Sequence, residues 1–296
     1  MKKNIERKEK PLFQHILIPI SSEYYDMKIL ETGAFLAGKF NSNISLIYII
    51  EEKTLNKVDK LSDAYRTKHD REKTKKDTIR ENIKAADQII FDRAKLMFKR
   101  RSVEFFEEII QGEFSDVIKG QIIKKGYDLI LMAFEKECIL NYRLFDEIDI
   151  PIWVYTSRGK KSILGVCSNL APNQKVPDIS IRLSKIFGWK LHMIYIVDVQ
   201  DTVEVDINGK RSEKKSEKEL ELKGHQFVYE MEKKGLDVKL IKGSLEKEAI
   251  KEAERIGANL VVIGREKKKK TKLGLPVKSL KRKIAEKCKY SLLYIN

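Results

Sequence analysis

The chain has 296 residues, of which 42% are apolar, which is enough for two domains with ordinary hydrophobic cores. No apolar run approaches the roughly 20 residues of a membrane-spanning helix, and no long apolar stretch follows the charged first residues, which argues against membrane insertion and export. The formal net charge of +16 leaves a nucleic acid, an anionic ligand or an acidic protein open as a partner.

The cysteines indicate a reducing compartment. Cys138, Cys167 and Cys288 are odd in number and widely spaced, and no CxxC pair occurs. This pattern argues against a disulfide framework and against a zinc knuckle. We therefore expect a cytoplasmic protein.

In chain order, a charged tail, residues 1–10, precedes a first apolar run at His15–Ile20 and a second at Ile44–Ile50. Both runs are too short for helices and predict strands. A polar stretch, Lys53–Thr78, then leads to a segment of helical period, Ile83–Lys99. A third strand closed by Gly112, two further strands and one capping glycine complete this part of the chain; the further strands are Leu129–Ala133 and Pro151–Tyr155, and the capping glycine is Gly126.

The second half of the chain repeats this order. Second strands match at an offset of 147 residues, third and fourth strands at 131, and closing strands at 140. The offset falls from 147 to 131 between the second and third strands. The first copy therefore has extra residues there, in the polar stretch Lys53–Thr78. The shift from 131 to 140 indicates a deletion after its fourth strand. The matching segments are Ile44–Ile50 with Leu191–Val197, Gly112 with Gly243, Gly126 with Gly257, and Pro151–Tyr155 with Ser291–Ile295.

Strands that alternate with helices, and that are apolar throughout as in Leu260–Ile263, predict a parallel sheet covered on both faces. The predicted fold class is α/β. It consists of two tandem, flavodoxin-like, doubly wound domains, each with a five-stranded parallel sheet of strand order 3-2-1-4-5. We place the domains at residues 11–158 and 159–296, with the hinge near Ser157–Lys161.

Ligands of such sheets bind at the carboxyl ends of the strands where the strand order reverses, which here is between strands one and four. The segments at these points are Pro19–Glu23 with Ala133–Ile139 in the first copy, and Val166–Asn169 with Gly264–Ser279 in the second. An Ile-Leu-Ile-Pro strand, a glycine closing strand three, an Asp-Leu-Ile-Leu-Met strand and a final Pro-Ile-Trp-Val strand resemble the universal stress protein family, twice over.

The resemblance implies a nucleotide site with an Asp after strand one and a loop of pattern G-x2-G-x9-G-[S/T] after strand four. In the first copy these positions hold Ser21, Ala133 and Lys136, and most of the loop is deleted, so we expect no nucleotide there. The second copy replaces the Asp and two glycines but keeps Gly264 and the serine. Any ATP, ADP or AMP would therefore bind in the second copy, at Ser168, Gly264, Lys267, Lys278, Ser279 and Leu280.

The resemblance also predicts how the two copies associate. Fifth strands of this family pair across a two-fold axis, so Pro151–Thr156 and Ser291–Asn296 should pair and form a pseudo-dimer within one chain. Whether two chains associate further as a homodimer stays open.

Two other basic patterns compete for interpretation. Gly264–Thr271 approaches the P-loop pattern GxxxxGK[ST], but Lys269 replaces its second glycine, which argues against phosphoryl transfer. The lysine-rich surface Lys267–Lys283 fits an acidic protein partner, or is simply a solvated loop. Nucleic acid is disfavoured because no aromatic residue for base stacking accompanies the charge. Charge-driven association would show a steep salt dependence without sequence preference.

The sequence supports two hypotheses on function. The first is a regulatory or stress-protective protein that acts by binding and is not an enzyme, with any nucleotide in the second copy only. The alternative is a ligand-free interaction module that docks on an acidic protein partner through Lys267–Lys283, with the insertion Lys53–Asn82 as a second contact. No arrangement of the four histidines suggests a metal or catalytic site.

Overall fold

The computed structural model describes residues 11–21, 27–51, 68–133, 148–156, 159–266 and 280–295. In the first half, the elements are β1 (His15–Ser21), α1 (Lys28–Phe40), β2 (Asn43–Glu51), α2 (Lys68–Ala85), a π-helical segment (Ala86–Phe91), α3 (Asp92–Lys99), β3 (Phe105–Gly112), α4 (Phe114–Lys125), β4 (Leu129–Ala133) and β5 (Ile152–Tyr155).

The second half repeats the alternation of strands and helices. Its elements are β6 (Ser162–Ser168), α5 (Val176–Phe187), β7 (Lys190–Asp198), α6 (Glu217–Lys233), β8 (Val238–Gly243), α7 (Leu245–Ile256), β9 (Leu260–Gly264), α8 (Leu280–Lys287) and β10 (Ser291–Ile295).

All ten strands form one sheet, in the order β3-β2-β1-β4-β5-β10-β9-β6-β7-β8. Each half has the predicted order 3-2-1-4-5, and every pair of neighbouring strands within a half is parallel. Buried side chains alternate between the two faces: Ile16 and Ile18 belong to one core cluster, and Leu17 to the other. The predicted fold class, with helices on both faces of a parallel sheet, is confirmed.

The two halves join where β5 pairs with β10. This is an antiparallel pair, with Trp153 opposite Leu293. Beyond the strands, the Thr156 amide donates to the Ser291 hydroxyl at 3.1 Å, and the Ser291 hydroxyl donates to the Thr156 carbonyl at 3.1 Å. The predicted pseudo-dimer within one chain is therefore present, and the closing strand of each half is covered by that of the other.

Aromatic rings reinforce this junction. Phe187, at the end of α5, stacks on Phe35 of the first half at 5.7 Å between ring centroids and meets Phe40 at 5.7 Å. It also contacts Trp153 edge-on at 6.2 Å and Trp189 at 4.8 Å. Trp153 and Trp189 both belong to this group of rings at the interface. We refer to the five rings as the aromatic seam.

The described part of the insertion of the first half, from Lys68 onward, is helical. The sequence predicted a helix at Ile83–Lys99, but helical structure begins at Lys68 and continues through α2, the π-helical segment and α3. Helix α2 has no apolar stripe that hydrophobic periodicity could detect. Hydroxyl groups bond instead to backbone carbonyls one turn earlier, as Thr74 does to Asp70 at 2.9 Å and Thr78 to Thr74 at 2.9 Å. Residues 53–67 lie outside the described ranges.

The capping glycines are confirmed. Gly126 ends α4 with φ of 68°, and Gly257 ends α7 with φ of 60°, both in the left-handed region. The domain boundary near residues 157–161 stays a prediction.

We predict that Phe187→Ala lowers the free energy of unfolding by about 3–5 kcal/mol, because it removes a buried ring that contacts both halves. Urea unfolding measured by circular dichroism and by fluorescence checks this. Both tryptophans of the chain belong to the seam, so fluorescence reports directly on it. The control is Phe106→Ala, whose ring is 54% exposed and whose loss should cost about 0.5 kcal/mol or less. Equal effects of the two variants would contradict a structural role for the seam.

Candidate ligand crevice at the carboxyl ends of β6 and β9

The candidate site of the second half lies where β6 and β9 end. The two strands are neighbours, with Val166 opposite Ile263, so Ser168 and Gly264 lie at the same edge of the sheet. Helix α8 begins at Leu280, whose side chain is outside the description, as are Lys267, Lys278 and Ser279 entirely. The structure thus brings together two of the six predicted residues and leaves the others untested.

In the first half, Ser21 ends β1 and is buried, and Ala133 ends β4. Residues 22–26 and 134–147, which include Lys136, lie outside the described ranges. The absence of a nucleotide site in the first half stays a prediction.

Ser168 is fully buried, and its polar groups are used by the segment that follows it. Its hydroxyl accepts a hydrogen bond from the Leu170 amide at 3.2 Å and lies 3.4 Å from the Asn169 side-chain oxygen. Its backbone exchanges two hydrogen bonds of 2.9 Å with the side chain of Asn173. Ser168 therefore stabilises a turn at the end of β6.

Asn169 is the polar centre of this edge; it ends the segment Val166–Asn169 but is not one of the six predicted ligand residues. Its side-chain nitrogen donates to the Val203 carbonyl at 2.8 Å, and its side-chain oxygen accepts from the Asp198 amide at 2.7 Å. Its carbonyl accepts from the Val205 amide at 2.7 Å. Asn169 is 2% exposed and ties the segments after β6 and β7 together. No sequence motif marks such a residue, because its partners are backbone groups.

Asp198, the last residue of β7, is also engaged within the chain. One carboxylate oxygen accepts from the amides of Gln200 and Asp201 at 2.8 and 3.0 Å. The other accepts from the Leu245 amide at 2.6 Å, which is the first amide of α7. A buried carboxylate at a helix N-terminus satisfies an amide that the helix leaves unpaired and is stabilised by the helix dipole. Asp198 therefore has a structural role at this edge.

Gly264 is in direct contact with the segment that leaves β6. A Cβ atom at this position would lie 1.9 Å from the Pro172 carbonyl oxygen and 2.9 Å from its carbon. Any side chain would displace that backbone. The glycine retained from the family pattern is thus required here by the protein's own chain, which crosses the end of β9.

A hairpin closes the edge from the other side. We call residues 199–216, between β7 and α6, the cover segment; within it Val205 and Arg211 form an antiparallel bridge. The Arg211 guanidinium pairs with Asp201 and with Glu266, two residues after β9. Its hydrogen bond to Glu266, helped by that to Asp201, raises the pKa of Arg211 although partial burial opposes this. The cover segment is thereby attached to the beginning of the predicted ligand loop.

Glu204 attaches the cover segment to α6. Its carboxylate pairs with Lys215 and, at 2.5 Å, with Lys223. Burial tends to raise the pKa of Glu204, but the hydrogen bonds from the two lysines outweigh it and the pKa is lowered. The charges of this segment are therefore largely matched within the chain.

Comparison with other proteins supports the fold. No protein-family model and no curated protein sequence matches the chain. Among solved structures, a universal stress protein from Archaeoglobus fulgidus superposes with a TM-score of 0.61, covering 95% of this chain and 96% of that chain at 13% identity. A putative universal stress protein from Pseudomonas aeruginosa gives a TM-score of 0.60, with 96% and 94% coverage at 12% identity.

A functionally unknown protein of Pseudomonas aeruginosa is similar to the same extent, with a TM-score of 0.59, coverage of 96% and 93%, and 12% identity. At such identities the similarity establishes the fold. The chain has the universal stress protein fold, in two tandem copies. The resemblance inferred from the sequence motifs is confirmed at this level.

Three further observations concern the described residues of this universal stress protein fold. Among them, no group of three His, Cys, Asp or Glu side chains is placed to hold a metal ion. None of the helices in the described ranges is both long and apolar enough to cross a membrane. Cys167, next to Ser168, is fully buried, and burial raises the pKa of its thiol far above the ordinary value. It packs as a small apolar residue.

We predict that Asn169→Ala lowers the free energy of unfolding by about 2–4 kcal/mol, because it leaves the Asp198 amide and the Val203 carbonyl buried without their partner. Hydrogen exchange of residues 199–216 should become faster, since the cover segment loses its attachment. The control is Asn208→Ala, an exposed asparagine of the same segment. If the amide hydrogens of residues 199–216 exchange as slowly in both variants as in the unmodified protein, Asn169 does not organise this edge.

Proposed function

We propose that this universal stress-like chain is a regulatory or stress-protective protein that acts by binding, without catalytic turnover. We further propose that the crevice of the second half, between the carboxyl ends of β6 and β9 where the strand order reverses, is filled by residues of the chain itself. The observation that carries this proposal is the contact of the Pro172 carbonyl with Gly264, where a phosphate would have to approach the backbone. The location that we infer is the cytoplasm, from the use of cysteine.

The polar groups around the crevice support this reading. Ser168, Asn169 and Asp198 are at most 3% exposed, and their hydrogen bonds go to the chain itself. A nucleotide would have to displace these partners and supply equivalent ones. A buried group that loses its partner without replacement costs about 1–3 kcal/mol.

The expected effect on nucleotide affinity follows from the contacts that must open. They include the bond from the Val205 amide to Asn169, the bond from the Leu170 amide to Ser168, and the pairing of Arg211 with Glu266. If each contributes about 1 kcal/mol, opening costs about 3 kcal/mol and weakens apparent affinity about a hundredfold.

Nucleotide binding in the second half is the second candidate. It is supported by the fold and by the position of Ser168 and Gly264 at one edge of the sheet. In this case ATP, ADP or AMP would be held by Gly264, Lys267, Lys278, Ser279 and Leu280 after the cover segment had opened. The lysines would supply positive charge for the phosphates.

We predict that titration of ATP, ADP and AMP with magnesium into the protein gives no heat at micromolar concentrations, because the crevice is filled. Calorimetry measures this, and mass spectrometry of the denatured protein checks for a co-purified nucleotide. Micromolar binding that Ser279→Ala abolishes would refute the filled crevice and establish the second candidate. The matched control is Ser244→Ala, at the N-terminus of α7, where the serine side chain makes no capping bond.

The partner that we propose is an acidic protein, docking on the lysine-rich surface Lys267–Lys283. The net charge of +16 and the exposed Lys283 support it. Electrostatic attraction of this kind mainly raises the rate of association, and salt screens it.

We predict that exchanging Lys269 and Lys270 together for Glu weakens binding of a fluorescent 20-residue polyglutamate peptide about tenfold, because two attractive charges become repulsive. Fluorescence anisotropy measures the affinity, and circular dichroism checks that the fold is unchanged. The control exchanges Lys233 and Lys234, an exposed pair at the end of α6. Equal losses in both variants would mean that net charge alone drives association, which contradicts a defined docking surface.

A further inference from the structure

An open groove lies on the helical face of the first half, away from the edge described above. Its volume is about 410 Å³, and it lies between the start of α1 and the α3 region. The seven lining residues are Met27, Glu31, Arg93, Leu96, Met97, Arg100 and Arg101. None of them belongs to the residues that the sequence assigned to a site.

The floor of the groove is apolar and accessible. Leu96 is 63% exposed although it lies in the middle of α3, and Met27 and Met97 are half-buried beside it. Methionine side chains are flexible and polarisable, so they adapt to ligands of varied shape. The exposed Leu96, with the half-buried Met27 and Met97 beside it, therefore gives the groove an apolar floor.

Three arginines surround this floor. Arg93, Arg100 and Arg101 are exposed, and their guanidinium groups make no hydrogen bond or ion pair with any described residue. Arg211 and Arg255, by contrast, are paired with carboxylates. With Glu31 as the one carboxylate among the lining residues, the groove has an excess of two positive charges.

We propose that this groove binds a single-chain amphiphile with an anionic head group, such as an alkyl phosphate or a fatty acid. The alkyl chain lies on Leu96, Met27 and Met97. The head group is held by the guanidinium groups, which present paired donors that match carboxylate and phosphate oxygens.

The size of the groove favours this occupant over a protein. Pockets for small ligands have volumes of about 300–1,000 Å³. A stable protein interface needs about 20–30 residues on each side, whereas seven residues line this groove. The inference does not depend on the proposed function, because the groove and the crevice share no residue.

The chain contains reporters for a direct test. Of its six methionines, Met27 and Met97 line the groove, while Met132, Met193 and Met231 are buried elsewhere. The full chain is labelled with ¹³C at the methionine methyl groups, and Met27→Leu and Met97→Leu assign the resonances. Dodecyl phosphate, added below its critical micelle concentration, should shift the Met27 and Met97 signals to saturation and leave the three buried ones in place.

Arginine variants test the head-group site. The double variant Arg93→Ala with Arg100→Ala should weaken binding of dodecyl phosphate about tenfold or more, because it removes charged hydrogen bonds. The matched control is the double variant Arg80→Ala with Lys84→Ala, which also removes two positive charges from the same helical region, at exposed residues. Its affinity should equal that of the unmodified chain.

Three results would overturn the proposal. The first is that dodecyl phosphate leaves the Met27 and Met97 signals unchanged. The second is that dodecyltrimethylammonium, with the same chain and opposite charge, shifts them equally. The third is that the signals respond only to vesicles containing anionic lipid and not to the monomeric amphiphile.

Discussion

The antiparallel pairing of β5 with β10 is the interaction on which the rest of the structure depends. It turns two five-stranded sheets into one sheet of ten strands and removes two exposed edges. The aromatic seam packs against this pair, since Trp153 lies on β5 and meets Phe187 of the other half. Each half therefore completes the other, and a strand pair that a homodimer would form between chains is formed within one.

This internal pairing leaves the two halves free to diverge. The first half has gained the long helical region from Lys68 to Lys99, which packs on its outer face and forms one side of the arginine groove. The second half has the cover segment, residues 199–216, over the carboxyl ends of β6 and β9. Both additions lie outside the sheet, where they alter the surfaces available for binding without disturbing the core.

The carboxyl edge of the second half shows how polar groups at the end of a parallel sheet are satisfied within the chain itself. Buried polar groups at this edge must have partners, because an unpaired one is costly. Ser168, Asn169 and Asp198 obtain theirs from backbone groups of neighbouring segments. Gly264 keeps its lack of a side chain because Pro172 occupies the space. The same residues that mark a family motif can thus serve the protein's own packing.

The sequence by itself determined the repeat, the strand order, the helix-ending glycines Gly126 and Gly257, and the pairing of the closing strands. The repeat and the two glycines follow from local apolar patterns and from the comparison of the two copies, whereas the strand order follows from the fold class and the pairing of the closing strands from the resemblance to the universal stress protein family. The extent of α2 was missed because this helix is mostly charged and polar and has no apolar period. Only the tertiary structure decided the role of Asn169, the contact of Pro172 with Gly264, and the grouping of Arg93 with Met27. These arise where segments far apart in sequence meet, and no spacing of residues along the chain encodes them.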